Sequence, residues 1–321
     1  MQSTLPNVVV LLAAYNGVKW IDQQLDSILN QQEINVTIYI SIDPSSDGTE
    51  HRCIEYSNKY PNVIVLPKAD TFGGAARNFY RLIKDVDFSS FDYIAFSDQD
   101  DIWHHQKIAR AHSVLKTRNF SGYSSNVIAF WPDGRRALVD KAQKQVKWDY
   151  LFEAAGPGCT YVLNRDLADA FKCSLIANWD QAQKVNLHDW YCYAFSRSHH
   201  YQWFIDPLPG MDYRQHDHNE MGVNAGVKSF KTRLKKITKG WWSSQVLLIN
   251  TLTETKTTSL KYNKKYKWIF FVKLIGHASE CRRRPRDKFL FVVACVVATL
   301  TMPFTATNRA LIKETPPERN L

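Results

Sequence analysis

Residues 96–108 read FSDQDDIWHHQKI. Three aspartates, Asp98, Asp100 and Asp101, fall within four residues directly after the apolar run Tyr93-Ile94-Ala95-Phe96. A buried strand that ends in so much negative charge needs something to balance it. Asp98 and Asp100 flank one residue, Gln99, and neighbouring carboxylates repel each other unless a cation lies between them. A hard divalent ion takes a few protein carboxylates together with phosphate oxygens. The pair therefore suits Mg2+ or Mn2+ holding a diphosphate. It suits equally well a cluster that caps the next helix, whose N-terminal dipole favours negative charge. Asp101 fits either role.

Upstream, residues 8–14 form a continuous Val-rich apolar run, which reads as a buried strand. Tyr15-Asn16-Gly17 turns the chain into a helix over 20–29. A second strand over 36–42 runs into Asp43-Pro44-Ser45-Ser46-Asp47-Gly48 and a helix over 51–60, with Asp47 or Thr49 as its cap. A strand over 63–66 and the diglycine Gly73-Gly74 lead to a helix over 75–83. The strand at 93–96 precedes a helix predicted over 103–115. Alternating strands and helices predict an α/β fold with a largely parallel sheet. Right-handed crossovers then put the strand C-termini on one edge. Tyr15-Asn16-Gly17, residues 43–48 and the aspartates all follow strand ends, so they converge on a rim where open α/β sheets bind ligands. Beyond residue 127 the pattern loosens. Strands are expected at 128–131, 160–163 and 203–205, and short helices at 166–171 and 189–195.

Each rim residue has an ordinary reading beside the functional one. Tyr15 can stack on a base or pack in the core. Asp43 can accept from a ring N–H or hold a turn. Arg77, just after the diglycine, can reach phosphate oxygens or stay solvated. Neither GxGxxG nor GxxxxGK[ST] is present, which argues against a dinucleotide site and a P-loop.

The 321 residues carry a net charge of +10, unevenly placed. Residues 228–288 hold 17 Lys/Arg against three acids, a net of +14, which leaves −4 for the rest. Such a segment suits anionic lipid or nucleic acid, or an ordinary solvated helix face. No nucleic-acid motif accompanies it. Trp241-Trp242 among lysines reads as interfacial. Residues 289–308 contain no charge and follow Arg282-Arg283-Arg284-Pro285-Arg286. That is nearly a bilayer span, although its threonines and Pro303 favour a helix lying on the membrane or packed in the core. The six cysteines form no CxxC, which argues against a zinc site and a disulfide scaffold and fits a reducing compartment. The N-terminus lacks the basic region of a signal peptide. Two domains are expected, 1–223 and a basic helical, membrane-associating extension over 224–321.

Together, VVLLAAYNG (9–17), YISIDPSSDGT (39–49), FGGAARNF (72–79) and FSDQDDIW (96–103) resemble the family 2 glycosyltransferases. The form DQDDIW and the later YRQHDHNEMG (213–222) look most like the rhamnosyltransferase-like branch, which builds bacterial O-antigen and capsule. The resemblance spans about residues 8–222. It implies a GT-A fold, a Rossmann-like mixed sheet with helices on both faces. It also implies a nucleotide site of Ala14, Tyr15, Asn16, Asp43, Arg77, Asp98 and Gln99, with Asp98 and Asp100 as the metal pair and His216 as a third ligand. The family's base is usually an aspartate late in the domain, and LHDWY (187–191) supplies Asp189. Trp103, Gly156, Gly158, His188 and Trp190 would border the acceptor. The implied reaction is inverting transfer of a sugar, rhamnose among the candidates, from a nucleotide-diphosphate donor. The acceptor would be a glycan or polyprenyl-diphosphate-linked glycan at the inner face of the cell membrane. One departure matters: the family's paired aspartates after the second strand are replaced by Ile42-Asp43-Pro44. A nucleotidyltransferase would need a glycine-rich basic loop where AAYNG stands. A non-catalytic subunit of a membrane assembly would not need Asp98, Asp100 and Asp189 together.

Overall fold

The structure is a computed structural model that describes residues 5–68, 71–216, 237–253 and 267–301. The boundary expected near residue 224 lies outside them, as do residues 217–222 of the late motif and 302–308 of the uncharged segment.

The first half follows the α/β pattern: β1 (Asn7–Ala14), α1 (Ile21–Leu29), β2 (Asn35–Ile42), α2 (Thr49–Lys59), β3 (Val63–Val65), α3 (Ala75–Asp85) and β4 (Tyr93–Ser97). There the chain departs from expectation. The segment expected to begin a helix at residue 103 instead forms a two-residue strand, β5 (Ile102–Trp103), and α4 starts only at Lys107 (Lys107–Arg118). Asp101 is therefore not the cap of α4. Next come β6 (Gly122–Ser125), β7 (Val127–Phe130), β8 (Arg136–Val139), β9 (Val162–Asn164), α5 (Arg165–Ala177), α6 (Trp179–Ala182), α7 (His188–Ser198), β10 (Trp203–Asp206) and β11 (Met211–Arg214). Residues expected to start a strand at 160 form a 3-10 turn, Gly158–Thr160, ahead of β9.

The main sheet has seven strands in the order β10-β6-β9-β4-β1-β2-β3. β1, β2, β3 and β4 run parallel, and β9 is antiparallel to both β4 and β6. β1 shows why its sequence is a continuous apolar run. Val8, Val10, Leu12 and Ala14 pack against α1 and α4, while Val9, Leu11 and Ala13 pack on the opposite face against α3 and α7. A strand covered on both faces cannot alternate apolar with polar. A second sheet, β5-β11-β7-β8, folds across the edge that carries the aspartates.

Four helices close the described chain: α8 (Trp241–Leu252), α9 (Lys267–Ile275), α10 (Ala278–Cys281) and α11 (Pro285–Thr301). Val246, Ile249, Phe271, Leu274, Phe291 and Cys295 share one apolar cluster with α3, α5 and α7. Trp241 and Trp242 face protein rather than an interface. Trp241 Nε1 donates to Asn186 Oδ1 (3.0 Å), and Trp242 packs against Phe271 and Phe291. Arg282 and Arg283 fasten this layer to residues 149–153. Arg283, almost fully buried, lies 3.2 Å from Glu153 and 3.7 Å from Asp149, and Arg282 Nη1 donates to the Phe152 carbonyl (2.7 Å). Among the described residues no helix is long and apolar enough to cross a membrane.

Candidate active site

The three aspartates occupy three different environments. Asp100 Oδ2 lies 2.7 Å from His216 Nε2, and the His216 ring stacks on Trp20 at 4.1 Å. Asp98 is half-buried at the rim. Asp101 is fully buried, and one oxygen accepts from the Arg214 N–H (2.9 Å). Burial, with Asp100 and Asp98 adding like charge, pushes its carboxyl well above the usual carboxylate range.

The irregular stretch from Asp101 to α4 is held by polar residues on α1 and just beyond its C-terminus that the sequence reading passed over. Gln24 Oε1 accepts from the Asp101 N–H (2.8 Å), Ser27 Oγ from the Trp103 N–H (3.0 Å) and Gln31 Oε1 from the Ile108 N–H (3.1 Å). Gln31 Nε2 also donates to the His104 carbonyl (2.8 Å). A spacing of three puts Gln24 and Ser27 on one helix face, beside the buried Ile21, Leu25 and Ile28, and Gln31 follows just past the helix end. Polar residues set into an apolar stripe were the available signal. Arg214 was missed as well. Its Nε donates to the Asp100 carbonyl (2.7 Å) and Nη2 to Gln23 Oε1 (2.6 Å), so β11 and α1 grip the aspartate loop from two sides.

The β1 loop is tied to the same segment. The Tyr15 N–H donates to Gln99 Oε1 (2.7 Å), and Gln99 Nε2 donates back to the Tyr15 carbonyl (2.6 Å). Gln99, expected at the nucleotide, is thus a strut whose amide is bonded at both ends to Tyr15, whose own ring is 40% exposed. A Cβ on Gly17 would lie 2.2 Å from Gln99 Oε1, so a larger residue there would displace the Gln99 side chain from Tyr15. Asn16, at φ 46, accepts from the Ser46 N–H (2.9 Å), and the carbonyl of buried Ala14 accepts from the Asp43 N–H (2.9 Å). Asp43 Oδ1 and Oδ2 accept from the amides of Phe72 (2.9 Å) and Gly73 (3.2 Å). Exposed Arg77 donates to the carbonyls of Phe72 (3.3 Å) and Gln183 (3.1 Å). Tyr15, Asp43, Arg77 and the aspartates therefore form one hydrogen-bonded rim.

Asp189 stands in the first turn of α7, half-buried, with one carboxylate oxygen accepting from the Trp190 N–H (2.7 Å). The loop of Gly156 and Gly158 closes over it. A Cβ on Gly158 would lie 2.7 Å from His188 Nε2 and 3.0 Å from Asp189 Cβ, and one on Gly156 would lie 3.6 Å from the Ser125 carbonyl. His188 stacks on Phe79 (3.9 Å) and meets Phe96 edge-on (5.7 Å), which sets the start of α7 beside the end of β4. Burial pushes its imidazole down to about 3. Three of the residues expected at the acceptor, His188, Trp190 and Trp103, are buried. Trp190 is buried, with its Nε1 donating to the Tyr150 carbonyl (2.9 Å). Trp103 is buried beneath Lys107, whose Nζ lies 3.2 Å from the ring centroid. Neither offers a face to a ligand.

Among the described residues one group of donors is spaced to hold a cation. Ligand atoms of Asp98, Asp101 and Cys159 lie within 4.8 Å of one another. Burial pushes the Cys159 thiol well above its ordinary range, with Asp101 and Asp98 adding to the effect. Asp100 and His216, 2.7 Å apart, stand beside this group as a carboxylate and an imidazole in mutual contact.

The profile of "Glycosyl transferase family 2" matches residues 9–153. The chain is 44% identical over 288 residues to the dTDP-rhamnosyl transferase RfbG of Shigella flexneri, covering 89% of this chain and 99% of that one. It is 26% identical over 176 residues to the UDP-Glc:alpha-D-GlcNAc-diphosphoundecaprenol beta-1,3-glucosyltransferase WfgD of Escherichia coli, 54% of this chain and 66% of that one. Among solved structures, S. aureus TarS 1-349 in complex with UDP-GlcNAc superposes with a TM-score of 0.53 at 13% identity, over 92% of this chain and 89% of that one.

Proposed function

The chain belongs to glycosyl transferase family 2, and from that premise we propose that it is an inverting transferase that moves rhamnose from dTDP-rhamnose to a glycan carried on a polyprenyl diphosphate. The product would be a bacterial surface polysaccharide, made at the inner face of the cell membrane. The observation that carries the reading is the juxtaposition at the end of β4. The rim of Tyr15, Asp43, Asp98 and Asp100 lies on one side, and Asp189, under the Gly158 loop, on the other.

The roles follow from this placement. Tyr15 stacks on the base and Asp43 accepts from its ring N–H. Asp98, Asp100 and His216 would hold Mn2+ or Mg2+, which when bound offsets the charge of the departing diphosphate. Arg77, at the start of α3, contacts phosphate oxygens. Asp189 takes the proton of an acceptor hydroxyl as that oxygen bonds to the anomeric carbon. The bond from that carbon to the diphosphate oxygen breaks, and dTDP leaves. The identity with the Shigella flexneri enzyme favours dTDP, and the E. coli relative favours a lipid-diphosphate acceptor.

Calorimetric titration of dTDP, UDP and GDP, each with and without Mn2+, tests this on the wild type and Asp100→Ala. Metal-dependent binding of dTDP that is lost in the variant supports the site and the donor. Preference for UDP or GDP would keep the site and replace the donor. No binding of any nucleotide to folded protein would sink the transferase reading and bring forward a non-catalytic subunit.

A further inference from the structure

Helix α11 is apolar on two opposite faces. Phe291, Ala294, Cys295 and Ala298 are buried, with Phe291 against Phe152 (4.8 Å) and Trp242 (5.8 Å). On the other side Phe289 (69%), Val293 (39%), Val296 (40%) and Leu300 (73%) are exposed. Their spacing of four, three and four residues keeps them within an arc of roughly 60°, a ridge about 17 Å long at 1.5 Å per residue. A helix that is apolar all round is ordinarily buried all round. Among the described residues nothing covers this ridge.

The charge at its head is cationic. The run Arg282–Lys288 holds five cations and one acid, Asp287. Arg282 and Arg283 are engaged with Glu153 and Asp149, and Asp287 is ion-paired to Arg282 (3.8 Å) and Arg286 (3.2 Å). Arg286 remains 72% exposed, and Arg284 is one-third exposed and reaches Asp140 only at 3.6 Å. Apolar side chains in a ridge, with guanidinium and ammonium groups at one end, complement the acyl boundary and anionic headgroups of a bilayer. The buried face of α11 is held along its length by protein, so only one side is open to lipid. That fits a helix lying in the interface plane rather than one crossing it.

We propose that Phe289, Val293, Val296 and Leu300 form a membrane-docking ridge, oriented by the cations at the start of α11, that seats the protein on an anionic bilayer. It deepens the reading of a lipid-linked acceptor and takes its purpose from that reading. The ridge itself is argued from exposure and charge alone. Docking there would hold the catalytic rim within reach of a substrate anchored in the same bilayer.

Flotation of the full-length protein with phosphatidylcholine vesicles, and with vesicles that also contain phosphatidylglycerol, tests the proposal. The variants are Phe289→Ser with Leu300→Ser, and Arg286→Glu with Lys288→Glu. The wild type is expected to float with the anionic vesicles and to dissociate as salt rises. The serine pair should lower that partition by roughly tenfold or more, and the glutamate pair should abolish the preference for anionic lipid. Nucleotide calorimetry on the same preparations reports whether the site is folded. Lost flotation with unchanged nucleotide binding supports the ridge. Wild type that stays behind, or a serine pair that floats equally well, overturns it whatever the nucleotide result. A serine pair that floats normally but turns a dimer into a monomer would assign the ridge to a second copy of the chain. Flotation without any nucleotide binding would leave the ridge standing and sink the transferase reading alone.

Discussion

Replacing Gln24 by methionine isolates the bond by which α1 holds the aspartate loop. Methionine keeps the volume and helix propensity of glutamine but cannot accept from the Asp101 N–H, now bonded at 2.8 Å. Gln24 and Asp101 are both fully buried, so water cannot take the vacated place. An unsatisfied buried donor costs about 1–3 kcal/mol, and the isosteric swap adds little packing strain, usually under about 1.5 kcal/mol. Gln24 Nε2 has no partner to lose, so the net cost should stay near 1–3 kcal/mol by the same reasoning. Denaturant unfolding should show a lower midpoint with an unchanged slope. The loop between Asp98 and Asp101 is the segment released, so metal-dependent nucleotide affinity should fall too, by about tenfold for each 1.4 kcal/mol expressed in binding. Gln24→Ala should cost more, because it adds a cavity. A methionine variant as stable as the wild type that binds nucleotide equally well would refute the role given to α1.

Asp189→Asn keeps the contact to the Trp190 N–H but removes the proton acceptor; single-turnover transfer should fall about 10²–10⁴-fold with nucleotide affinity unchanged in calorimetry. Gly158→Ala puts a methyl 2.7 Å from His188 Nε2, and with that ring pinned on Phe79 the start of α7 must move. Stability should drop by about 1–3 kcal/mol, and kcat should fall while the nucleotide Kd holds. Burial pushes His188 down to about 3, whereas an unfolded histidine titrates near 6.5, as a rough value. The stability owed to a neutral His188 is therefore complete above that unfolded value and is lost as pH falls from there toward the folded one. His188→Phe, which keeps the stack on Phe79, should remove up to about 1.4 kcal/mol per pH unit of that acid slope in urea titrations. An unchanged slope would show that the imidazole is not buried in the neutral form.

The parallel half of the fold was legible because strands covered on both faces are written as unbroken apolar runs, as in β1 and β4. β6 was not. Its sequence GYSS is buried throughout yet carries two serines: Ser124 Oγ accepts from Trp203 Nε1 (3.0 Å), while the Ser125 hydroxyl is buried without a hydrogen-bond partner among the described residues. Rim residues such as Tyr15, Asp43 and Asp100 could be placed because each follows a strand end. Trp103 and Trp190 could not, since adjacency to a motif does not tell which way a large ring packs. In the segment after Asp101 the amphipathic run suggested a helix from residue 103. Acceptors on and just after α1, remote in sequence, instead hold its first residues extended. Contacts such as Arg283 with Glu153, 130 residues apart, leave no local trace.

The guanidinium fastening of Arg282 and Arg283 makes the tail and the catalytic half a single inheritance. Shortening the chain before α10, a common route to a tractable crystal, would strand Glu153, leave Asp149 to Arg197 and Tyr193 alone, and untether the backbone at Phe152 and Ala154. The next residues are Ala155 and Gly156, where the loop over Asp189 begins. A tail exchanged between relatives would therefore succeed only if the donor brings both arginines and the recipient keeps both acids. Variation in one half is constrained by the chemistry of the other.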